Sequence, residues 1–93
     1  MVGEQLLEVI IKHVMKNRSR LELTATILRV ATDGMSSTKI MFNVYVSHTK
    51  LKEYLAVLIH NGLLEYQKGK RIYLTTQKGL DFLHTYTQMN DIT

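Results

Sequence analysis

Apolar positions recur with a period of about 3.6 residues over the first third of the chain, as in amphipathic helices. Residues 4–16 place five aliphatic side chains on one helical face. A second apolar run follows, and Ser19 with Glu22 three residues later forms the capping-box pattern at its start. Gly34 is suited to the left-handed backbone that follows a last helical turn. This part of the sequence therefore predicts two helices.

Two more helices are predicted in the middle of the chain. Residues 38–44 form a short amphipathic segment, with Ser37 as the candidate cap. Ser47 is the candidate cap of the clearest helix, 48–61, which Gly62 ends. The buried stripe expected for that helix is Leu51, Leu55, Leu58 and Ile59.

Beyond these helices the apolar period changes from about 3.6 to about 2 residues. Two short alternating runs, 64–67 and 71–75, flank Lys68-Gly69-Lys70 and predict a β-hairpin with a turn centred on the glycine. The apolar positions of this hairpin are Leu64, Tyr66, Ile72 and Leu74. Thr76 is the candidate cap of a last helix, 76–90.

A short helix, a tight turn, a longer helix and a basic hairpin form the order of a winged helix-turn-helix unit. The predicted fold class is mainly α with a small β-hairpin (α+β), with an extra N-terminal helix and a C-terminal helix. We expect one domain over residues 1–93. Within it, 4–16 is an accessory helix, 19–75 is the helix-turn-helix with its wing, and 76–90 is the C-terminal helix, expected to serve dimerisation.

Composition excludes several classes of protein. A chain of 93 residues with 45% apolar residues suits one folded domain rather than a disordered basic tail. The absence of cysteine excludes disulfides and zinc–thiolate sites. No apolar run approaches the roughly 20 residues of a membrane helix, so no membrane association is expected.

The positive charge is concentrated in the middle of the chain. The formal net charge is +4, and residues 34–73 alone hold six basic and two acidic residues. A local excess of this kind favours a polyanionic partner. The segment contains both the longer helix of the predicted helix-turn-helix and the hairpin.

These features predict a surface for double-stranded DNA. In a helix-turn-helix the N-terminal residues of the second helix contact base edges in the major groove. The candidates for base contacts are Ser47, His48, Thr49 and Glu53. The candidates for phosphate contacts are Lys39, Lys50, Lys52, Lys68, Lys70 and Arg71. The hairpin tip 68–71 would contact the backbone or the minor groove.

No constellation of residues points to catalysis, a metal or a cofactor. The four histidines have no ligand spacing, and no nucleophile elbow or ordered triad is visible. No glycine-rich phosphate loop is present. We therefore expect a binding protein and not an enzyme, with no catalytic residues, no metal and no cofactor.

Residues 18–85 resemble the small archaeal winged-helix regulators and nucleoid proteins. The runs that carry the resemblance are Arg20-Leu21-Glu22, Ile27-Leu28-Arg29, Thr38-Lys39-Ile40-Met41, Leu58-Ile59-His60-Asn61-Gly62-Leu63-Leu64-Glu65 and Tyr73-Leu74-Thr75-Thr76-Gln77-Lys78-Gly79-Leu80-Asp81-Phe82-Leu83. The resemblance implies a homodimeric protein that binds double-stranded DNA in the cytoplasm, associated with the nucleoid. That group pairs through a long C-terminal helix. Here the last helix is shorter and an extra N-terminal helix is present.

The N-terminal helix has a consequence for assembly. Its five aliphatic side chains exceed what a winged-helix core needs, and an exposed stripe of this kind is a liability for a monomer. We expect a homodimer through the N-terminal and C-terminal helices, the alternative being that 4–16 packs on its own domain. The leading function is transcriptional regulation. The alternatives are a protein-interaction module of the transcription machinery and a chromatin protein without sequence preference.

Overall fold

The computed structural model describes residues 20–92 and the side chains of residues 20–89. The elements in this part are α1 (Arg20–Val30), α2 (Ser37–Val44), α3 (His48–His60), β1 (Leu64–Gln67), β2 (Ile72–Thr75) and α4 (Gln77–Ile92). Three helices, an antiparallel hairpin and a further helix confirm the predicted α+β winged helix. The expected helix 4–16 and the Ser19 cap lie outside the described residues.

Helix α1 lies at the centre of the core. It contacts α2, α4 and β2, so its apolar residues are covered on several sides. Ile27 and Leu28 have no exposed surface. The other helices and the hairpin contribute Ile40, Val44, Leu51, Leu55, Leu58 and Leu64 to the same cluster. Burying side chains of this size stabilises the fold by about 1.5–3 kcal/mol each.

The ends of α1 and α2 differ slightly from the prediction. Helix α1 ends at Val30, and residues 31–33 continue as turns up to Gly34, whose φ is +93°. The cap of α2 is Ser36 and not Ser37, because Ser36 has the extended backbone and its Oγ accepts a hydrogen bond from the backbone N–H of Lys39. Two adjacent serines made this choice ambiguous in the sequence.

The face of the hairpin that packs on the core is not the one that the apolar positions of its second strand predict. Leu64 pairs with Thr75 and Tyr66 pairs with Tyr73, so Thr75 and not Leu74 shares the buried face with Leu64. The Thr75 hydroxyl donates to the carbonyl oxygen of Leu28 at 2.6 Å. That bond satisfies the polar group inside the core.

The opposite face of the hairpin packs on the turn after α1. A Cβ at Gly34 would lie 2.7 Å from Cδ1 of Ile72, and the φ of +93° is a conformation that other residues rarely adopt, so both favour glycine here. Met35 forms an isolated β-bridge with Tyr73, with which it exchanges two backbone hydrogen bonds. The hairpin is thereby joined to the segment between α1 and α2.

Helix α3 buries Leu51, Leu55 and Leu58, as predicted. The prediction was wrong for Ile59, which is 39% exposed. Ile59 is next to Leu58 in the sequence and therefore lies about 100° further round the helix.

The end of α3 is fixed by α4. The Thr76 hydroxyl donates to the carbonyl oxygen of Gly62 at 2.6 Å and accepts from the N–H of Gly79, which confirms Thr76 as the cap. Lys78 Nζ donates to the carbonyl oxygen of Asn61, the C-cap of α3, at 2.9 Å. A cation there also interacts favourably with the negative end of the helix dipole.

Candidate nucleic-acid interface

Helices α2 and α3 begin with the same local geometry. Ser36 and Ser47 are both extended, with φ/ψ of −70°/156° and −68°/157°. Each serine Oγ accepts a hydrogen bond from the backbone N–H of a lysine three residues later: Lys39 at 3.4 Å and Lys50 at 3.2 Å. The structure therefore confirms Ser47 as the cap of α3, and its hydroxyl proton remains free to donate outward.

The lysines at these two positions are unusual for capped helices. In a capping box the residue three after the serine is Glu or Gln, which returns a hydrogen bond to the cap. Helix dipoles also favour acidic residues in the first turn, yet α2 and α3 have none there. Both helices thus begin with the positive dipole end and a cation together, an arrangement suited to an external anion.

Three residues connect the two helices. Tyr45 follows Val44 in the left-handed conformation, with φ of 56°, and its N–H donates to the carbonyl oxygen of Met41. Val46 packs against the core, and Ser47 starts α3. The turn is thus held by backbone geometry on one side and by apolar contact on the other.

The side of α3 opposite its buried stripe forms a continuous exposed surface. Thr49, Glu53, Ala56 and His60 follow each other at intervals of four, three and four residues, and all four are exposed. We call these four residues the outer strip. The side chains of Lys50 and Lys52 flank it on opposite sides. Ala56 and His60 were not among the predicted site residues, although helical spacing from Thr49 and Glu53 places them on the same side of α3.

All ten predicted site residues are exposed. Within residues 20–89, the side chains of the six predicted cations make no hydrogen bond or ion pair: Lys39, Lys50, Lys52, Lys68, Lys70 and Arg71. Their charge is therefore not compensated inside the described part of the chain. The first turns of α2 and α3 and the hairpin tip are the places where this charge is available to a partner.

The hairpin tip is a four-residue turn, 68–71, between β1 and β2. Its left-handed residue is Arg71, with φ of 54°, and not Gly69, around which the prediction centred the turn. No atom lies within 4 Å of a Cβ built at Gly69, so the tip projects into open space. Three cations are carried on this projecting loop.

Comparison with protein families decides how these elements are named. A family model described as winged helix-turn-helix matches residues 17–93.

The chain belongs to the winged helix-turn-helix family.

No curated protein matches the chain. In a winged helix-turn-helix domain, α2 and α3 are the two helices of the motif, α3 is the recognition helix, and the hairpin is the wing. The family match supports the winged-helix fold that the resemblance in the sequence implied.

Two aromatic rings stiffen the wing between its base and its tip. Tyr66 and Tyr73 face each other across the strands with ring centroids 4.8 Å apart. Burial, with a smaller contribution from Tyr66, raises the pKa of the Tyr73 phenol above its ordinary value. Tyr73 is therefore neutral at physiological pH and contributes no charge beside the cationic tip.

Other classes of site were also considered for the described residues. Within residues 20–89, no three histidine, aspartate or glutamate side chains come close enough together to hold a metal ion. No helix in the described part of this winged helix-turn-helix chain has the length and apolar character needed to cross a membrane. The cationic first turns and wing remain the principal feature of this surface.

Proposed function

We propose that this protein binds double-stranded DNA, with the recognition helix α3 in the major groove and the wing tip 68–71 on the backbone or in the minor groove. The observation that carries the proposal is the pair of lysines, Lys39 and Lys50, at the two capped helix starts. Phosphate oxygens satisfy both the helix dipole and the lysine charge. Folding alone would favour Glu or Gln at these positions.

In this complex the two sets of predicted residues have different tasks. The six cations neutralise phosphates and give affinity for any duplex. Ser47, His48, Thr49 and Glu53 face base edges, where hydroxyl, imidazole and carboxylate groups can discriminate between bases. The activity proposed is binding without catalysis and without a cofactor.

We further propose that the protein acts as a homodimeric transcriptional regulator. A modest net charge of +4 favours a dimer that presents two cationic surfaces. Helix α4 supports this, since Met89 is 58% exposed. Tyr86, on the same side of the helix, is half-buried and stacks on the core-packed Phe82 at 6.4 Å between ring centroids. Together with the aliphatic stripe in 4–16, this face would pair across a two-fold axis.

Sedimentation at tens of micromolar tests the assembly, because a monomer at that concentration would contradict the dimer.

We also propose that the whole chain, 1–93, forms one domain. We further propose that the protein is located in the cytoplasm, associated with the nucleoid. The resemblance of residues 18–85 to archaeal winged-helix regulators supports this location and an archaeal origin.

Salt dependence tests the DNA-binding proposal. The logarithm of the association constant for a duplex should fall linearly with the logarithm of the salt concentration, because phosphate contacts release counterions. The double variant Lys70→Ala, Arg71→Ala should weaken binding to all sequences and reduce the slope by roughly two units for each protomer bound. A flat salt response of the unmodified protein would contradict the proposal.

A second candidate function is a protein-interaction module. Phe42 and Tyr45 at the end of α2 are 69% and 70% exposed, and aromatic side chains are typical anchors of protein interfaces. Phe42 lies in the last turn of α2, and Tyr45 directly follows the helix. A partner protein would occupy this aromatic pair, whereas DNA would occupy the lysine-bearing helix starts and the wing tip.

A further inference from the structure

Glu53 is the one acidic residue of the outer strip. Its side chain is exposed and makes no hydrogen bond or ion pair with any residue of the described part of the chain. It also stands on the rim of a groove between α1 and α3 that Arg20 and Lys50 line, yet neither cation pairs with it. Within the described residues, Glu53 therefore does not serve to neutralise a neighbouring lysine.

The helix itself gives no reason for an acid at this position. The residues four before and four after Glu53 are Thr49 and Val57, neither of which is a cation. Lys50, three residues earlier, precedes the acid, which is the less favourable order for an ion pair on a helix. Folding would therefore accept almost any polar residue at position 53.

In a DNA complex the same carboxylate has a cost. It would face a polyanion, so it weakens binding to every duplex that offers it no hydrogen-bond donor. A chromatin protein that binds all sequences alike would gain affinity from a neutral or basic residue here. An acidic residue on the outer strip is favourable only where one base pair supplies a hydrogen-bond donor to the carboxylate.

The four bases differ in how well their major-groove edges suit a carboxylate. Guanine presents two acceptors and thymine presents one acceptor with a methyl group, so both repel or exclude a carboxylate. Adenine presents an amino donor beside the acceptor N7. Cytosine presents its N4 amino group without an adjacent acceptor, and is therefore the base that a carboxylate accepts from most favourably.

We propose that Glu53 is a specificity-determining residue that requires a cytosine in each half-site, which makes this protein a sequence-specific binder. The proposal rests on the proposed DNA-binding function. Its physical content is a repulsive element: the acid lowers affinity for DNA in general and is compensated at cytosine alone.

The test is selection of bound duplexes from a random pool with the full chain and with two variants. The unmodified protein should enrich one cytosine by on the order of tenfold over the other bases. Glu53→Ala should lose the preference at that one position and bind random duplex more tightly. Glu53→Gln should move the preference toward adenine, since an amide pairs with N6 and N7 of adenine.

A matched variant separates base contact from simple charge. Asp81→Asn removes one exposed acidic charge from α4 and keeps an acceptor oxygen for Gln77. It should leave the selected sequence unchanged. Thermal denaturation of all three variants checks that each is folded.

Two results would overturn the proposal while leaving DNA binding intact. One is an identical selected sequence for the unmodified protein, Glu53→Ala and Glu53→Gln. The other is salt-dependent binding with no selected sequence at all. A protein that binds no duplex at low salt would instead overturn the proposed function itself, so the two failures are distinguishable.

Discussion

Helices α1 and α3 both pack against the core, but only α1 has an acidic residue in its first turn. In α1 an acid, Glu22, lies in the first turn and a base, Arg29, lies in the last turn, as the helix dipole favours. In α3 the first turn has no acid and contains Lys50 where a capping box would have Glu or Gln. Helix α2 repeats the α3 pattern with Lys39.

Glu22 and Arg29 of α1 lie where the dipole of their own helix favours them. Under the proposed function, Lys39 and Lys50 instead serve an external anion. The positive charges of Lys39 and Lys50 in the first turns of α2 and α3 destabilise the isolated domain by a few tenths of a kcal/mol each. Beside an external anion they become favourable. Breaking a local rule at two equivalent positions is typical of a functional surface.

Reversing the two charges should give the largest effect. Lys39→Glu with Lys50→Glu completes a capping box at Ser36 and at Ser47 and turns both helix starts against phosphate. Duplex affinity should fall by on the order of 100-fold at moderate salt. The free energy of unfolding should not fall, and should rise by about 0.3–1 kcal/mol per site.

Fluorescence anisotropy with a labelled duplex and urea denaturation measure the two quantities on the same preparation. A variant that is both less stable and unable to bind would contradict the account, because the lysines would then serve folding. Unchanged affinity would remove the helix starts from the binding surface.

Residues that serve packing and residues that are free for a partner can also be distinguished around the wing. At Gly79, in the first turn of α4 behind the wing, an added Cβ would collide with the carbonyl oxygen of Leu63. Gly79→Ala should therefore lower the free energy of unfolding by about 1–3 kcal/mol. Gly69→Ala at the open tip is the matched control and should change it by less than about 0.5 kcal/mol. Equal losses from the two variants, in urea denaturation, would show that the tip is also held by packing.

The smallest effect is expected at the end of α1. Arg29→Glu places an acid at the negative end of the dipole and should cost about 0.3–1 kcal/mol of stability. Duplex affinity should change far less than with the Lys39 and Lys50 reversals. Strong loss of binding by Arg29→Glu would mean that net charge, and not its placement at α2 and α3, governs affinity.

Much of this architecture could be predicted from local signals. Ser47, Gly62 and Thr76 mark helix boundaries through short-range hydrogen bonds and backbone conformations that depend on neighbouring residues. The buried stripe Leu51, Leu55 and Leu58 follows from helical spacing. These features were correctly predicted because their causes lie within a few residues of chain.

Some features of the fold had long-range causes, whereas the differences at Ser36, Ile59 and Arg71 were local. Thr75 is buried because its hydroxyl finds the Leu28 carbonyl 47 residues away, a partner that no local pattern shows. Lys78 donates to the carbonyl oxygen of Asn61 at the end of α3, 17 residues away, and no local pattern shows that bond. The ten candidate residues of the site, with their charges and hydrogen-bonding groups, were named from the sequence. Only the structure shows the outer strip and the lack of an ion pair for Glu53 within the described residues.

The central claim is that the first turns of α2 and α3 and the wing tip form the DNA surface. Mapping backbone amide shifts by NMR on addition of a duplex at low salt tests it most directly. We predict that the largest changes fall at Ser36 to Lys39, at Ser47 to Glu53 and at Lys68 to Arg71. Changes concentrated on α4 and the base of the hairpin, with those segments unaffected, would contradict the account.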